Sequence, residues 1–268
     1  MEGEGHGKIR FQFDCANQDL VSVSERIRKY QADLDSAMAE IRQKIWNSRG
    51  YLKFDANGAK EYAMIANEVF APIYPVIARK IIEHCGVNSG SCVDIGSGAA
   101  NLAMALAEMT SLRIFALDFS EEIQKSAMEN FEKRNLVERV VPVLGDVHHI
   151  PFPGGFASLV VSRGSMRFWR NKPAAFREMN RILKPGGKGF VGGGMGSGEL
   201  AEAISREMIR RGADWQNKPR KTRRSDIGQW KVIMEKAGLK KYEIINDDSG
   251  FWVYFEKDGE EQRNVEEI

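Results

Sequence analysis

With 268 residues the chain has room for one large domain with a cap, and for a substantial buried core. Apolar residues make up 43% and charged residues 28%, an ordinary globular balance, and a net charge of +2 carries no global signal for an acidic partner. No apolar run approaches the roughly 18 residues that span a bilayer, and the start, Met1-Glu2-Gly3-Glu4-Gly5-His6, lacks the apolar segment of a signal peptide.

Residues 1–50 divide into a glycine- and charge-rich tail, expected to fray, and an amphipathic helix. The helix starts at a capping box, Ser22 to Glu25. Its apolar positions Ile27, Tyr30, Leu34, Met38, Ile41 and Ile45 recur at three- and four-residue spacing. That stripe packs either on the chain's own core or on a second copy as a homodimer seam. A second helical region, 51–88, is interrupted by Pro72 and Pro75, which remove helix hydrogen bonds.

Residues 89–257 alternate apolar strands and amphipathic helices, with strands read at 91–95, 113–117, 139–143, 157–162 and 188–192. Such alternation implies right-handed crossovers and an α/β, doubly wound, mostly parallel sheet. A helix to about 212, a basic loop and a helix at 225–237 follow. The runs 241–245 and 251–255, split by Asn246-Asp247-Asp248-Ser249-Gly250, read as a terminal antiparallel hairpin, which makes seven strands in all. Residues 258–268 form an acidic tail. Cys15, Cys85 and Cys92 have no metal-ligand spacing, and their odd number suits a reducing, cytoplasmic setting.

The chemistry concentrates in Val93-Asp94-Ile95-Gly96-Ser97-Gly98 and in Asp118, which ends the next apolar run. A strand, a glycine turn, a helix and an acid at the following strand tip form the layout of a nucleotide site. Gly96 and Gly98 admit a close ligand where a Cβ would collide, and Asp118 can accept both hydroxyl hydrogens of a ribose. The dinucleotide fingerprint G-x-G-x-x-G is not completed, because Asn101 takes the place of its last glycine. Asp94, two residues before the turn, opposes a pyrophosphate and suits a ligand carrying an ammonium and a sulfonium.

With Leu117-Asp118-Phe119-Ser120, Leu144-Gly145-Asp146-Val147 before Ile150-Pro151-Phe152, and Leu183-Lys184-Pro185-Gly186-Gly187, the chain resembles the Rossmann-like (class I) S-adenosylmethionine (SAM) methyltransferases. The similarity is greatest to their ubiquinone/menaquinone C-methyltransferase branch and covers about residues 54–257. It implies SAM as cofactor, with Gly96, Ser97 and Gly98 beside the methionine moiety and Asp94 near its ammonium. It further implies Asp118 on the ribose, Phe119 against the adenine, Asp146 on the exocyclic amine and Val147 on a ring nitrogen. Ala100 stands where many members carry a third glycine, and Phe156-Ala157 where the fourth strand usually opens with an acid. Relatives use the 51–88 segment as a lid, which makes Tyr51, Phe54, Tyr62 and Tyr74 candidate pocket walls.

The fourth-strand exit, Ser162-Arg163-Gly164-Ser165, lacks the Asn/Asp-Pro-Pro-aromatic motif of amino-directed nucleic-acid methyltransferases. Arg163 suits the cofactor carboxylate or an acidic substrate, and Phe168 and Trp169 line the substrate pocket or pack in the core. His148 could serve as a base, though polar loop residues are usual there. The glycine run 192–198 reads as a hinge, an open pocket floor or an anion cradle. The basic run at Lys218, Arg220, Lys221, Arg223 and Arg224 has no interleaved aromatics, which speaks against nucleic acid and for a solvated face.

The sequence therefore points to a SAM-dependent methyltransferase moving a methyl group to a small-molecule acceptor by in-line displacement under a helical lid. It identifies no catalytic base and no metal site. A non-catalytic subunit of the same fold, and a nicotinamide-dependent oxidoreductase, are the alternatives.

Overall fold

The computed structural model describes residues 56–213 and 227–259. The N-terminal helix, Tyr51, Phe54, the basic run at 218–224 and most of the acidic tail lie outside them. Seven strands form one sheet: β1 Ser89–Ile95, β2 Ser111–Asp118, β3 Val140–Leu144, β4 Ala157–Arg163, β5 Leu183–Gly193, β6 Lys241–Asp247 and β7 Gly250–Glu256. Their order is β3-β2-β1-β4-β5-β7-β6, with β1 to β5 parallel and β7 antiparallel to both its neighbours.

The order reverses between β1 and β4, so the crevice at their carboxyl ends is the place where an α/β sheet binds its ligand. Register brings the essential tips level. Asp94 pairs with Ala116 of β2 and Val161 of β4, which leaves Gly96, Asp118 and Arg163 to leave the same edge of the sheet. Gln124 holds β2 against β3 by donating to the carbonyls of Ala116, at 2.9 Å, and Val143, at 3.0 Å.

Helices α1 Ala56–Glu68, α2 Ile73–Cys85, α3 Asn101–Met109, α4 Glu121–Lys133, α5 Lys172–Ile182, α6 Gly198–Arg210 and α7 Ile227–Ala237 complete the described chain. Side-chain caps start three of them: Ser120 for α4, Asn171 for α5 and Ser197 for α6. On one face of the sheet α2, α3 and α4 share a continuous apolar core. Phe176 of α5 meets Trp169, Trp230 of α7 and Phe255 of β7 edge-on, all at ring-centroid distances of 5.7–6.4 Å.

The 51–88 segment does not act as one unit. Ile73, Tyr74, Ile77, Ala78, Ile81 and Cys85 are all buried, so α2 is a core helix packed on α3 and β5. Ile73, Ile77 and Ile81 are each fully covered, worth about 1.5–3 kcal/mol apiece. Pro72 caps α2 and Pro75 falls in its first turn, where a missing N–H breaks no helical bond. The prolines thus end one helix and start the next without kinking either. Among the described residues of the segment, α1 through Tyr62 and the following turn through Phe70 reach the cavity over the strand tips.

Candidate active site

A cavity of about 1030 Å³ opens over the tips of β1, β2, β4 and β5. That is the upper end of the roughly 300–1,000 Å³ typical of small-molecule sites, enough for a cofactor and a second molecule side by side. Its floor is the turn after β1. Gly96 and Ser97 both donate to the Leu117 carbonyl, at 2.7 and 3.0 Å, which folds the turn back onto β2. Gly96 and Gly98 have φ of +64° and +56°, a region that disfavours any residue with a Cβ. The space is also taken. A methyl group on Gly96 would overlap Ser165 Cβ and stand 2.7 Å from its Oγ, and one on Gly98 would stand 3.0 Å from the Tyr62 ring.

Asp118 ends β2 facing the cavity, and its carboxylate is oriented by amides. Gly98 N–H donates to Oδ2 at 2.9 Å and Ser120 N–H to Oδ1 at 3.0 Å. Burial raises its pKa above the ordinary value, while the bonds from the Ser120, Gly98 and Phe119 amides pull the other way. A carboxylate offers about four lone-pair positions, so capacity for a diol remains. Phe119 lies beside it, 43% exposed into the cavity, as a flat apolar surface for a ring.

Asp146 and Val147 form the next part of the wall. The Asp146 Oδ1 atom accepts from the His148 backbone N–H at 2.7 Å and is 2.6 Å from His148 Nδ1. His148 Nε2 in turn accepts from the Asn171 N–H at 3.3 Å. Both ring nitrogens are therefore engaged in one tautomer, Nδ1–H, and the imidazole orients Asp146.

Asp94 and Ser97 lie behind the turn and do not line the cavity. Asp94 is 1% exposed and accepts from the Ala103 amide in the first turn of α3. Burial, with the charge of Asp118 adding to it, pushes the Asp94 pKa up to about 7. Asp94 Oδ2 and Ser97 Oγ are both buried without a hydrogen-bond partner among the described residues. Two unsatisfied oxygens flanking a glycine cradle fit a ligand with a cationic nitrogen next to the turn, reached directly or through water. Such atoms are otherwise costly.

On the far side, Ser162 Oγ donates to the Ile95 carbonyl at 2.7 Å and contacts Ser165 Oγ at 2.7 Å, tying the β4 exit to β1. Arg163 turns toward β5. Its Nε and Nη2 donate to the Gly194 carbonyl, both at 3.2 Å, and its guanidinium lies over the Phe70 and Tyr74 rings at 5.3 and 5.7 Å. Tyr62 closes this side from α1, and burial raises its pKa against the pull of Arg163. Phe168 is 40% exposed in the cavity, whereas Trp169, 7% exposed, both lines it and packs on Phe176. Tyr74 is a buried core residue of α2 and does not line the cavity.

The glycine run, which begins within β5, lines the cavity at Gly192, Gly193, Gly194 and Gly198, and packing gives two of these glycines a further reason. A methyl group on Gly192 would overlap the Phe251 carbonyl, and one on Gly194 the Ser249 carbonyl, so both admit the β6–β7 hairpin against β5. Ser165 and Arg167 line the cavity within the fourth-strand exit but no motif gives either a role of its own, and Phe70, Ser205 and Ile209 line it from outside every motif. Ser165 can be found only from its contact with Gly96. Arg167 sits in a short 3₁₀ turn, Met166–Phe168.

A methyltransferase-domain profile matches residues 93–191. The crystal structure of a candidate S-adenosyl-L-methionine-dependent methyltransferase from Methanococcus maripaludis is 44% identical, covers 80% of this chain and 99% of that one, and superposes with a TM-score of 0.74. A ubiquinone/menaquinone biosynthesis C-methyltransferase of Cupriavidus pinatubonensis is 33% identical over 101 residues, 37% of this chain and 41% of its own. A malonyl-[acyl-carrier protein] O-methyltransferase of Geobacter sulfurreducens is 26% identical over 216 residues, 77% of this chain and 74% of its own. The chain thus spans less than half the length of the quinone-pathway relative it matches.

Proposed function

We propose that this chain, which belongs to the class I S-adenosyl-L-methionine-dependent methyltransferases, transfers a methyl group to a small-molecule acceptor bound in the cavity above β1 and β4. One observation carries the reading. A glycine turn, an amide-oriented Asp118 and a His148-oriented Asp146 face a single cavity with room left over for a second ligand.

The proposed cofactor residues divide by moiety. Gly96, Ser97 and Gly98 would flank the methionine end, with Asp94 behind the turn neutralising its ammonium and Arg163 meeting its carboxylate. Asp118 would hold the ribose hydroxyls, Phe119 the adenine face, and Asp146 and the Val147 N–H the adenine edge. When bound, the cofactor supplies an already activated methyl group. The protein's task is then to hold a nucleophile in line with it and to exclude water. Proximity and orientation can supply up to about 7–11 kcal/mol of such a barrier. Tyr62 leaning over Gly98, together with Phe168 and Trp169, would form the acceptor wall that keeps water out.

The relatives named above are a C- and an O-methyltransferase, so similarity leaves the acceptor atom open. Among the described residues no helix is long and apolar enough to cross a membrane. The reading includes a cytoplasmic location, with buried Cys85 and Cys92 as free thiols. It also includes a homodimer through the N-terminal helix as the alternative to that helix packing on its own chain, which light scattering would decide.

The decisive experiment is calorimetric titration of SAM and of S-adenosylhomocysteine into wild-type protein and Asp118→Ala. Binding lost or weakened by about tenfold or more in the variant, the worth of one or two charge-assisted bonds, supports the reading. No binding by folded wild-type protein refutes it and favours a non-catalytic subunit.

A further inference from the structure

Arg163 and Arg167 line the same cavity, and among the described residues no carboxylate pairs with either. Arg167 is exposed to the cavity and Arg163 half-buried, and both differ from the half-buried arginines elsewhere. Arg139 donates to the carbonyls of Ala107, Thr110 and Leu112, and Arg181 to Glu178 and to the carbonyls of Phe152 and Ile150. Among the described residues Arg167 makes no hydrogen bond. Its guanidinium rests 4.6 Å from the centre of the Phe168 ring, which steadies it and leaves its donors open.

Resting on the methyltransferase reading, we infer that the acceptor is an acid with an apolar body, its carboxylate or phosphate held by Arg167 and its body laid against Phe168. The argument is one of charge. The cofactor brings one carboxylate, which the reading assigns to Arg163, and the second guanidinium is left unmatched. Asp118 and Asp146 cannot serve, since amides and His148 hold them at the adenosine end. Glu202 and Asp248 also border the cavity, but both are exposed at its rim, and Glu202 faces Arg206 at 3.9 Å.

A ligand that fills the cavity strips water from Arg167. A neutral molecule would do so without replacing the lost hydration, a large cost for a cation. An acid replaces it with paired, charge-assisted bonds for which the planar guanidinium is shaped. The electrostatics agree: burial lowers the Arg167 pKa, opposed by Tyr62, and repulsion from Arg163 lowers it further. Phe70, Met195 and Ile209 add apolar wall to the same cavity, the first two against Arg163, and such a wall has no use for a small, fully polar acid.

The test uses full-length protein saturated with S-adenosylhomocysteine. Phenylacetate and phenyl phosphate are titrated at constant ionic strength, with phenylacetamide as the uncharged control, into wild type, Arg167→Gln and Arg167→Lys. The inference expects at least one acid to bind about tenfold or more tighter than the amide, and that preference to vanish in R167Q. R167K should recover part of it, because an ammonium keeps the charge without the fork. Which acid binds tighter decides between carboxylate and phosphate. S-adenosylhomocysteine affinity should be unchanged in both variants. If neither acid is preferred to the amide, or R167Q holds the acids as wild type does, the inference is wrong while the methyltransferase reading stands. If S-adenosylhomocysteine itself does not bind, both fall together.

Discussion

Gly96 and Ser165 make a pair whose coupling can be measured. Gly96→Ala forces a residue with a Cβ to φ +64°, at a cost of about 1–2 kcal/mol. It also drives that Cβ into Ser165 Cβ and to within 2.7 Å of Oγ, an overpacking cost of about 1–3 kcal/mol. The neighbour cannot swing aside freely, because Ser165 Oγ is held by Ser162 Oγ at 2.7 Å and the Ile95 carbonyl at 3.1 Å. Ser165→Gly alone should cost about 0.5–1.5 kcal/mol for the one bond its hydroxyl hydrogen makes, and Ser162 keeps its own bond to Ile95. In the double variant the overlap disappears, since the next Ser165 atom, Cα, stands 3.9 Å from the new methyl. Only the φ strain then remains from the Gly96 change. Urea unfolding of the four proteins, with equal slopes confirmed, should therefore give a favourable coupling of about 1–3 kcal/mol. Additive costs would refute the claim that Gly96 is a glycine to admit Ser165. They would leave backbone conformation as its whole reason.

Asp94→Asn tests the buried acid. With its pKa raised from 3.8 to about 7, the native state keeps a proton that the unfolded chain releases, so ligand-free stability should fall as pH rises between those values. The Asn variant should lose that slope and be more stable than wild type at about pH 8 by about 1–3 kcal/mol, the cost of an uncompensated buried polar group. Parallel stability–pH curves for the two proteins would count against it. Gly194→Ala and Gly193→Ala separate packing from flexibility in the glycine run. A methyl on Gly194 would overlap Ser249 and stand 2.7 Å from Gly250 Cα, whereas one on Gly193 meets nothing nearer than Gly164 Cα at 3.7 Å. The first should therefore cost about 1–3 kcal/mol in urea unfolding and the second less than about 1 kcal/mol. Equal costs would reopen the hinge interpretation.

Local signals sufficed where chemistry and backbone demands fall within one motif. The run from Val93 to Gly98 has apolar residues, two glycines and an acid at fixed offsets, and the structure turns there. The same holds for Asp118 at the end of β2 and for the hairpin around Ser249, seen from alternation and a polar break. The lid expectation for 51–88 comes from relatives and passes over a stripe, Ile73, Ile77 and Ile81, whose four-residue spacing marks a buried helix face. Gly192 and Gly194 were ambiguous for a different reason. Their neighbours, Phe251 and Ser249, arrive more than fifty residues later, and no local pattern announces them. Ala100 is an instructive middle case. It occupies φ +60° fully buried, so a position that favours glycine tolerates alanine where its methyl has apolar neighbours.

The two halves of the cavity are built by different means, and that difference bears on what evolution can alter. The half above β1 and β2 is shaped by backbone: the folded turn at Gly96, the Gly98 and Ser120 amides on Asp118, and the His148 amide on Asp146. Changing a ligand contact there means changing a fold contact, because the groups that would orient a cofactor also close the sheet edge. The half above β4 and β5 is shaped by side chains from α1, the 3₁₀ turn and α6, such as Tyr62, Arg167, Phe168 and Ile209. Arg167 makes no hydrogen bond and no ion pair among the described residues, so replacing it removes a charge from the cavity without leaving a buried partner unsatisfied. A residue with so little to hold in the fold is one whose substitution should move acceptor choice while leaving stability within about 0.5 kcal/mol, the range of ordinary surface changes. Gly96, by contrast, should report on both at once.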